Sequence, residues 1–79
     1  MDIKRGIIRK LFYLGKWGHN HTSFDNIPKG FPKELGKEVK SVAKDLIKGG
    51  ILLSKPTSYG VEVSLNPAKK GDIENILGI

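Results

Sequence analysis

The stretch Phe31–Gly50, FPKELGKEVKSVAKDLIKGG, decides how the rest of the chain is read. At about 100° per residue its side chains sort into three stripes. Leu35, Val39, Val42, Ala43, Leu46 and Ile47 make one apolar side, and Lys33, Lys37, Lys40, Lys44 and Lys48 fall almost opposite. Glu34, Glu38 and Asp45 collect on one flank. A helix face that is merely solvated mixes its charges so that i,i+4 neighbours attract. Here Lys33–Lys37, Lys40–Lys44, Lys44–Lys48 and Glu34–Glu38 are like-charge pairs, which mildly destabilise a helix. A lysine ridge backed by an apolar stripe docks on a core while offering its outer side to a polyanion. Pro32 suits a first helical turn and Gly49-Gly50 a C-terminal stop, so the spacing predicts a helix over Pro32–Lys48.

Upstream, Asp2 is a cap for a helix from Ile3. Ile3, Ile7, Leu11 and Leu14 form its stripe, with Ile8 and Phe12 as a second apolar line. Two lines on one short helix imply either packing by the C-terminal segment or a dimer seam through Ile8 and Phe12. The segment GKWGHNHTSFDNIPKGFPKE follows, punctuated by Trp17, Phe24, Ile27 and Phe31 as anchors. Thr22 or Ser23 is placed to start a short helical turn over residues 24–29, and Pro28 and Gly30 forbid anything longer.

Downstream, Ile51–Leu53 reads as a short strand and Lys55–Gly60, KPTSYG, as a turn. Val61, Val63 and Leu65 alternate with Glu62 and Ser64, the pattern of a half-buried strand. The two strands make a hairpin. Asn66-Pro67 opens a last helix with Ile73, Ile76 and Leu77 as its apolar side, broken or restarted near Gly71.

The chain has 79 residues and a formal net charge of +6, with a pI of about 9.7. That length accommodates one domain, residues 1–79, with a small core and little room for a catalytic cavity. The charge favours nucleic acid, an anionic membrane or an acidic protein as partner. There is no cysteine, which excludes disulfides, thiolate zinc sites and thiol catalysis. No apolar run approaches the ~20 residues of a membrane span. Arg9, Lys10 and Gly6 interrupt the N-terminal apolar stretch, which argues against a signal peptide. The expected location is cytoplasmic, with no membrane partner.

The order helix, short helix, longer helix, β-hairpin, helix is that of a winged helix-turn-helix. The chain resembles small winged-helix proteins, and HNHTSFDNIPKGFP, KGG and LLSKPTSYGVEVSLNP are similar to an archaeal group of them. The resemblance implies an α+β, mostly α, winged helix-turn-helix: three helices, a hairpin wing and a short C-terminal helix. It implies that Pro32–Lys48 is the recognition helix and Lys55–Gly60 the wing tip, the former entering the major groove. The short, interrupted second helix departs from the common pattern.

The candidate nucleic-acid-binding set begins with Lys33, Lys37, Lys40 and Lys44, which rise roughly 16 Å along the helix, and Ser41 beside them. Guanine readout favours Arg and adenine readout Asn or Gln. The ridge has none of these, so it suits phosphate contacts over base reading. Lys55, Thr57, Ser58 and Tyr59 offer charge, hydroxyls and an aromatic plane, or else an ordinary turn with Tyr59 folded on the core. Lys29 and His21 complete the set, His21 as a pH-sensitive phosphate contact. His19 and His21 with Asp25 fall short of the three or four ligands of a metal site, so neither metal nor cofactor is expected. No H-E-x-x-H, phosphate loop or supported Ser–His–Asp arrangement occurs, and no enzymatic activity is expected. Double-stranded DNA is the favoured partner, in a transcription or chromatin-associated role. Structured RNA, as in a ribosome-associated protein, comes second, and a protein-interaction module third.

Overall fold

Asp2 opens the first helix as its sequence position predicts: its carboxylate accepts the Arg5 N–H at 3.0 Å. Among residues 2–79, which the computed structural model describes, there are three α-helices and one three-stranded antiparallel sheet. They run α1 (Ile3–Tyr13), β1 (Thr22–Ser23), α2 (Gly36–Lys48), β2 (Leu52–Thr57), β3 (Gly60–Leu65) and α3 (Lys70–Leu77). Single 3-10 turns precede α2 at Lys33–Leu35 and α3 at Pro67–Lys69, and a third occupies Phe24–Asn26.

The core draws on every layer. Ile3, Ile7, Ile8 and Leu11 of α1 meet Val39, Ala43 and Leu46 of α2, Val63 and Leu65 of β3, and Ile73 and Leu77 of α3. Trp17, Phe24 and Phe31 pack against this cluster and Ile27 is buried within it, so the four anchors of the connecting segment all serve. Phe31 reaches across α1 at Gly6, where a Cβ would lie 3.0 Å from its ring. Gly6 therefore admits the aromatic ring.

Several expectations are corrected. Ile8 is fully buried inside the chain, so it is not available to a dimer seam. α1 packs on α2 and α3, and Phe12 sits edge-on to Trp17 at 6.1 Å between ring centres. Leu14 caps α1 and is exposed, so the buried stripe stops at Leu11. Residues 22–23 pair with β3 (Thr22 opposite Val63, Ser23 opposite Glu62) before the helical turn starts. Ser23 then caps that turn through Asp25 N–H, and the second helix is reduced to three residues. α2 begins at Gly36 after the 3-10 turn, with Pro32 outside it. Gly71 lies within α3 and does not break it; at the second position it interrupts no established turn.

The hairpin is longer and its turn tighter than predicted. β2 continues through Lys55, Pro56 and Thr57, and only Ser58 and Tyr59 form the loop. Pro56 is tolerated because the strand order β1-β3-β2 makes β2 an edge, where a missing N–H can face solvent. The α2-to-β2 connection turns at Gly50, whose φ of +81° lies in the left-handed region. Asn66 closes it from the other side, its side-chain amide donating to Gly50 O at 2.8 Å. The same side chain accepts Ala68 N–H at 3.0 Å and so opens the final helical segment.

Candidate nucleic-acid interface

The buried residues of α2 (Val39, Ala43, Leu46) recur at three and four positions and fix its rotation. Lys37, Lys40, Lys44 and Lys48 are exposed on the far side, with Ser41 beside them. Lys33 is exposed in the preceding 3-10 turn. Glu38 and Asp45 are exposed on the flank of α2 between the lysines and the buried stripe. The segregation of charge read from the sequence is therefore present on the folded surface. Lys40 approaches Asp25 at 3.5 Å. Both side chains are solvent-exposed, so the pair contributes roughly 0–1 kcal/mol and leaves Lys40 free to exchange it for a phosphate.

The sheet register decides what the hairpin adds. Directly opposite residues share a face and successive residues alternate. Leu52 opposite Leu65 and Ser54 opposite Val63 define the core side, which continues outward to Pro56 opposite Val61. Beyond the core this side forms one wall of a crevice of about 360 Å³, lined by Phe24, Lys44, Ile47, Ser54 and Val61. Lys44 thus borders an apolar groove between α2 and the hairpin. Ile47, at the edge of the apolar stripe, lines that groove while remaining partly packed on the core.

Lys55 belongs to the other side. It lies opposite Glu62, and Leu53 opposite Ser64. Here His21 Nδ1 meets Glu62 Oε1 at 2.9 Å. A carboxylate only accepts, so Nδ1 carries the proton of this contact. His19, His21, Lys55 and Glu62 line a cleft of about 580 Å³ together with Leu53 and Pro67. Lys55 and His21 are thus not brought together with the α2 ridge, and His21 is already engaged by a carboxylate. No three His, Cys, Asp or Glu side chains are grouped to hold a metal ion among the described residues.

The turn separates its residues by role. Thr57 Oγ1 donates to Gly60 O at 2.7 Å and accepts Tyr59 N–H at 3.2 Å, so its hydroxyl holds the turn. Tyr59 is fully exposed at 101% and is not folded back on the core; Ser58 beside it is also exposed. Lys29 is exposed, and its carbonyl accepts a hydrogen bond from Lys10 Nζ at 2.6 Å.

Lys10 is the residue the sequence did not single out. Its ammonium also donates to Asn26 O at 2.5 Å and lies 3.5 Å from Ile27 O. It gathers three carbonyls of the 26–29 turn, and so holds the segment leading into α2. Burial, then the charge of Lys29, lowers its pKa below the ordinary 10.5. Its unusual neighbour relationship, a cation on the half-buried side of α1, is visible only once the turn is folded over it.

No helix among the described residues is long and apolar enough to cross a membrane. Comparison with protein-family models, curated proteins and solved structures finds no match for this chain.

Proposed function

We propose that the chain is a winged-helix nucleic-acid-binding protein that grips double-stranded DNA along its phosphate backbone, in a transcription or chromatin-associated role without enzymatic activity. The observation that carries this reading is the row of exposed lysines on α2, one of which, Lys44, borders a groove whose other wall is the hairpin. The element order, with a two-residue strand pairing on the hairpin before the longest helix, supports taking α2 as the recognition helix and β2–β3 as the wing. Four or five lysine heads spaced along one helix match a polyanion with closely repeated charges. The absence of Arg, Asn and Gln from that row favours positioning contacts over base reading.

Titration of a duplex of arbitrary sequence at several salt concentrations tests it. Affinity falls with log salt by ~0.9 per phosphate neutralised in B-DNA, so four engaged lysines give a slope of about −3 to −4. Undetectable binding at about 50 mM salt, or a flat slope, removes the proposal. Structured RNA is the second reading, favoured by the fully exposed Tyr59 at the hairpin tip, since an exposed aromatic ring stacks on unpaired bases. Tighter binding of a stem-loop than of the duplex, lost in Tyr59→Ala, decides for RNA.

A further inference from the structure

From the structure we infer that the outer face of α1 is a second phosphate-binding surface, built from Arg5, Arg9 and Tyr13, and that the protein bridges two nucleic-acid segments. The inference rests on the nucleic-acid reading above and adds a second contact to it.

Both arginines of the chain lie on α1. At positions i, i+4 and i+8 Arg5, Arg9 and Tyr13 form one exposed line, opposite the buried Ile3, Ile7, Ile8 and Leu11. α1 contains no carboxylate in IKRGIIRKLFY, and the carboxylate of Asp2 accepts the Arg5 N–H. Among the described residues neither guanidinium has a carboxylate partner. Arg5–Arg9 is a like-charge i,i+4 pair, the same unfavourable arrangement that marks the lysine ridge.

The two guanidiniums are also pre-oriented. Arg9 lies 5.6 Å from the centre of the Tyr13 ring, within cation–π distance. Arg5 Nη2 donates to Leu77 O at 3.2 Å, which ties it to the end of α3 and leaves the remaining donors of its fork unused. Between them opens a crevice of about 220 Å³ with Phe12, Leu77 and Ile79 as apolar walls. A planar, weakly hydrated guanidinium fork beside an aromatic ring is suited to bidentate phosphate contact.

This surface shares no lining residue with the lysine groove. The crevice is made by α1 and the end of α3, whereas the groove is made by α2, the hairpin and Phe24. The flank of α1 toward α2 is occupied instead, by Phe31 over Gly6 and by Lys10 on the 26–29 turn. The two cationic faces are therefore built from different helices with no residue in common, and the bridge assigns one duplex to each.

The test uses the full chain, a duplex immobilised on beads and a second, fluorescent duplex in solution. Wild type is expected to recruit the fluorescent duplex. Arg5→Glu with Arg9→Glu is expected to keep single-duplex affinity within about threefold and to lose recruitment by at least about tenfold. Arg9→Glu alone, which breaks no hydrogen bond, replaces the double variant if that variant melts early, and Arg9→Lys is expected to recover part of the capture. Single-duplex binding by wild type without recruitment overturns the bridge and leaves the lysine face standing. Recruitment unchanged in Arg9→Glu also overturns it, and points to protein self-association or a different second surface. Failure of wild type to bind any duplex removes the underlying reading, and the bridge with it. Binding of the α1 face to an acidic peptide but not to duplex would reassign the face to a protein partner and overturn the inference.

Discussion

On one face of the β2–β3 hairpin, Ser54 and Val61 stand across a crevice from Lys44 of α2. On the other, Lys55 stands opposite Glu62, and Glu62 holds His21 at 2.9 Å. The two faces are separated by a single step along the strand, yet one borders Lys44 and the other carries the His21–Glu62 contact. An electrostatic surface is therefore defined by strand register as much as by composition: Lys55 and Lys44 have the same head group and serve different neighbourhoods. Among the described residues the lysines of α2 make one salt bridge, Lys40 with Asp25 at 3.5 Å. Behind the hairpin, His21 and Glu62 are held in mutual contact, which suits a fixed wall.

The largest effect that would break this contrast is on α2. Lys40→Glu combined with Lys44→Glu should reduce duplex affinity by about two orders of magnitude or more, measured by fluorescence anisotropy at low salt. The melting temperature should be nearly unchanged, because both side chains are exposed. Next in size is a stability effect behind the interface. Lys10→Met removes the ammonium that three carbonyls of the 26–29 turn share, leaving Asn26 O only the Lys29 N–H at 3.3 Å, and should cost roughly 1–3 kcal/mol in urea denaturation. A loss below ~0.5 kcal/mol would mean that the turn holds itself.

On the groove side of the hairpin, Val61→Glu places a carboxylate beside Lys44 and should weaken duplex binding about tenfold. On the opposite side Lys55→Gln should change it by no more than about threefold. Equal losses from the two would show that the duplex wraps the hairpin and contacts both faces. The smallest effect is a pH dependence. The folded chain releases the Lys10 proton at a lower pH than the unfolded chain does. Between that lowered value and 10.5 the unfolded state binds the extra proton, so this group makes stability rise with pH across the window. Alkaline urea titrations of wild type against Lys10→Met should isolate that slope, and a slope of opposite sign would show that the three carbonyl bonds outweigh the burial.

Much of the frame was legible because it follows from periodicity. The stripe Val39, Ala43, Leu46 set the rotation of α2, and its lysines were placed outward by the same count. Val63 and Leu65 alternated into the core as read. What was not legible depended on contacts between distant positions. Thr22 and Ser23 become a strand only because β3 lies beside them. Pro56 reads as a turn residue, yet an edge position removes its penalty. Residues 21 and 62 carry no mutual signal, so the engagement of His21 was hidden, and with it the side to which Lys55 belongs. The role of Lys10 was hidden for the same reason, since its acceptors are backbone carbonyls and have no residue signature. The second apolar line on α1 left open whether the C-terminal segment or a second copy covered it; in the structure Ile8 is buried within the chain and α1 packs on both α2 and α3.

The sheet has two borders, and both discourage further strand addition. One is β1, only two residues long. The other is β2, which places Lys55 and Pro56 in the middle of its open side. A charged side chain and a residue without an N–H interrupt the row of hydrogen-bonding groups that another chain would need to extend the ladder. On the proposed reading, a basic protein gathered along a polyanion is brought close to its own copies, where an open edge would favour edge-to-edge aggregation. Pro56, tolerated in a hairpin longer than the sequence predicts, thus withholds an N–H that a neighbouring strand would need to extend the ladder.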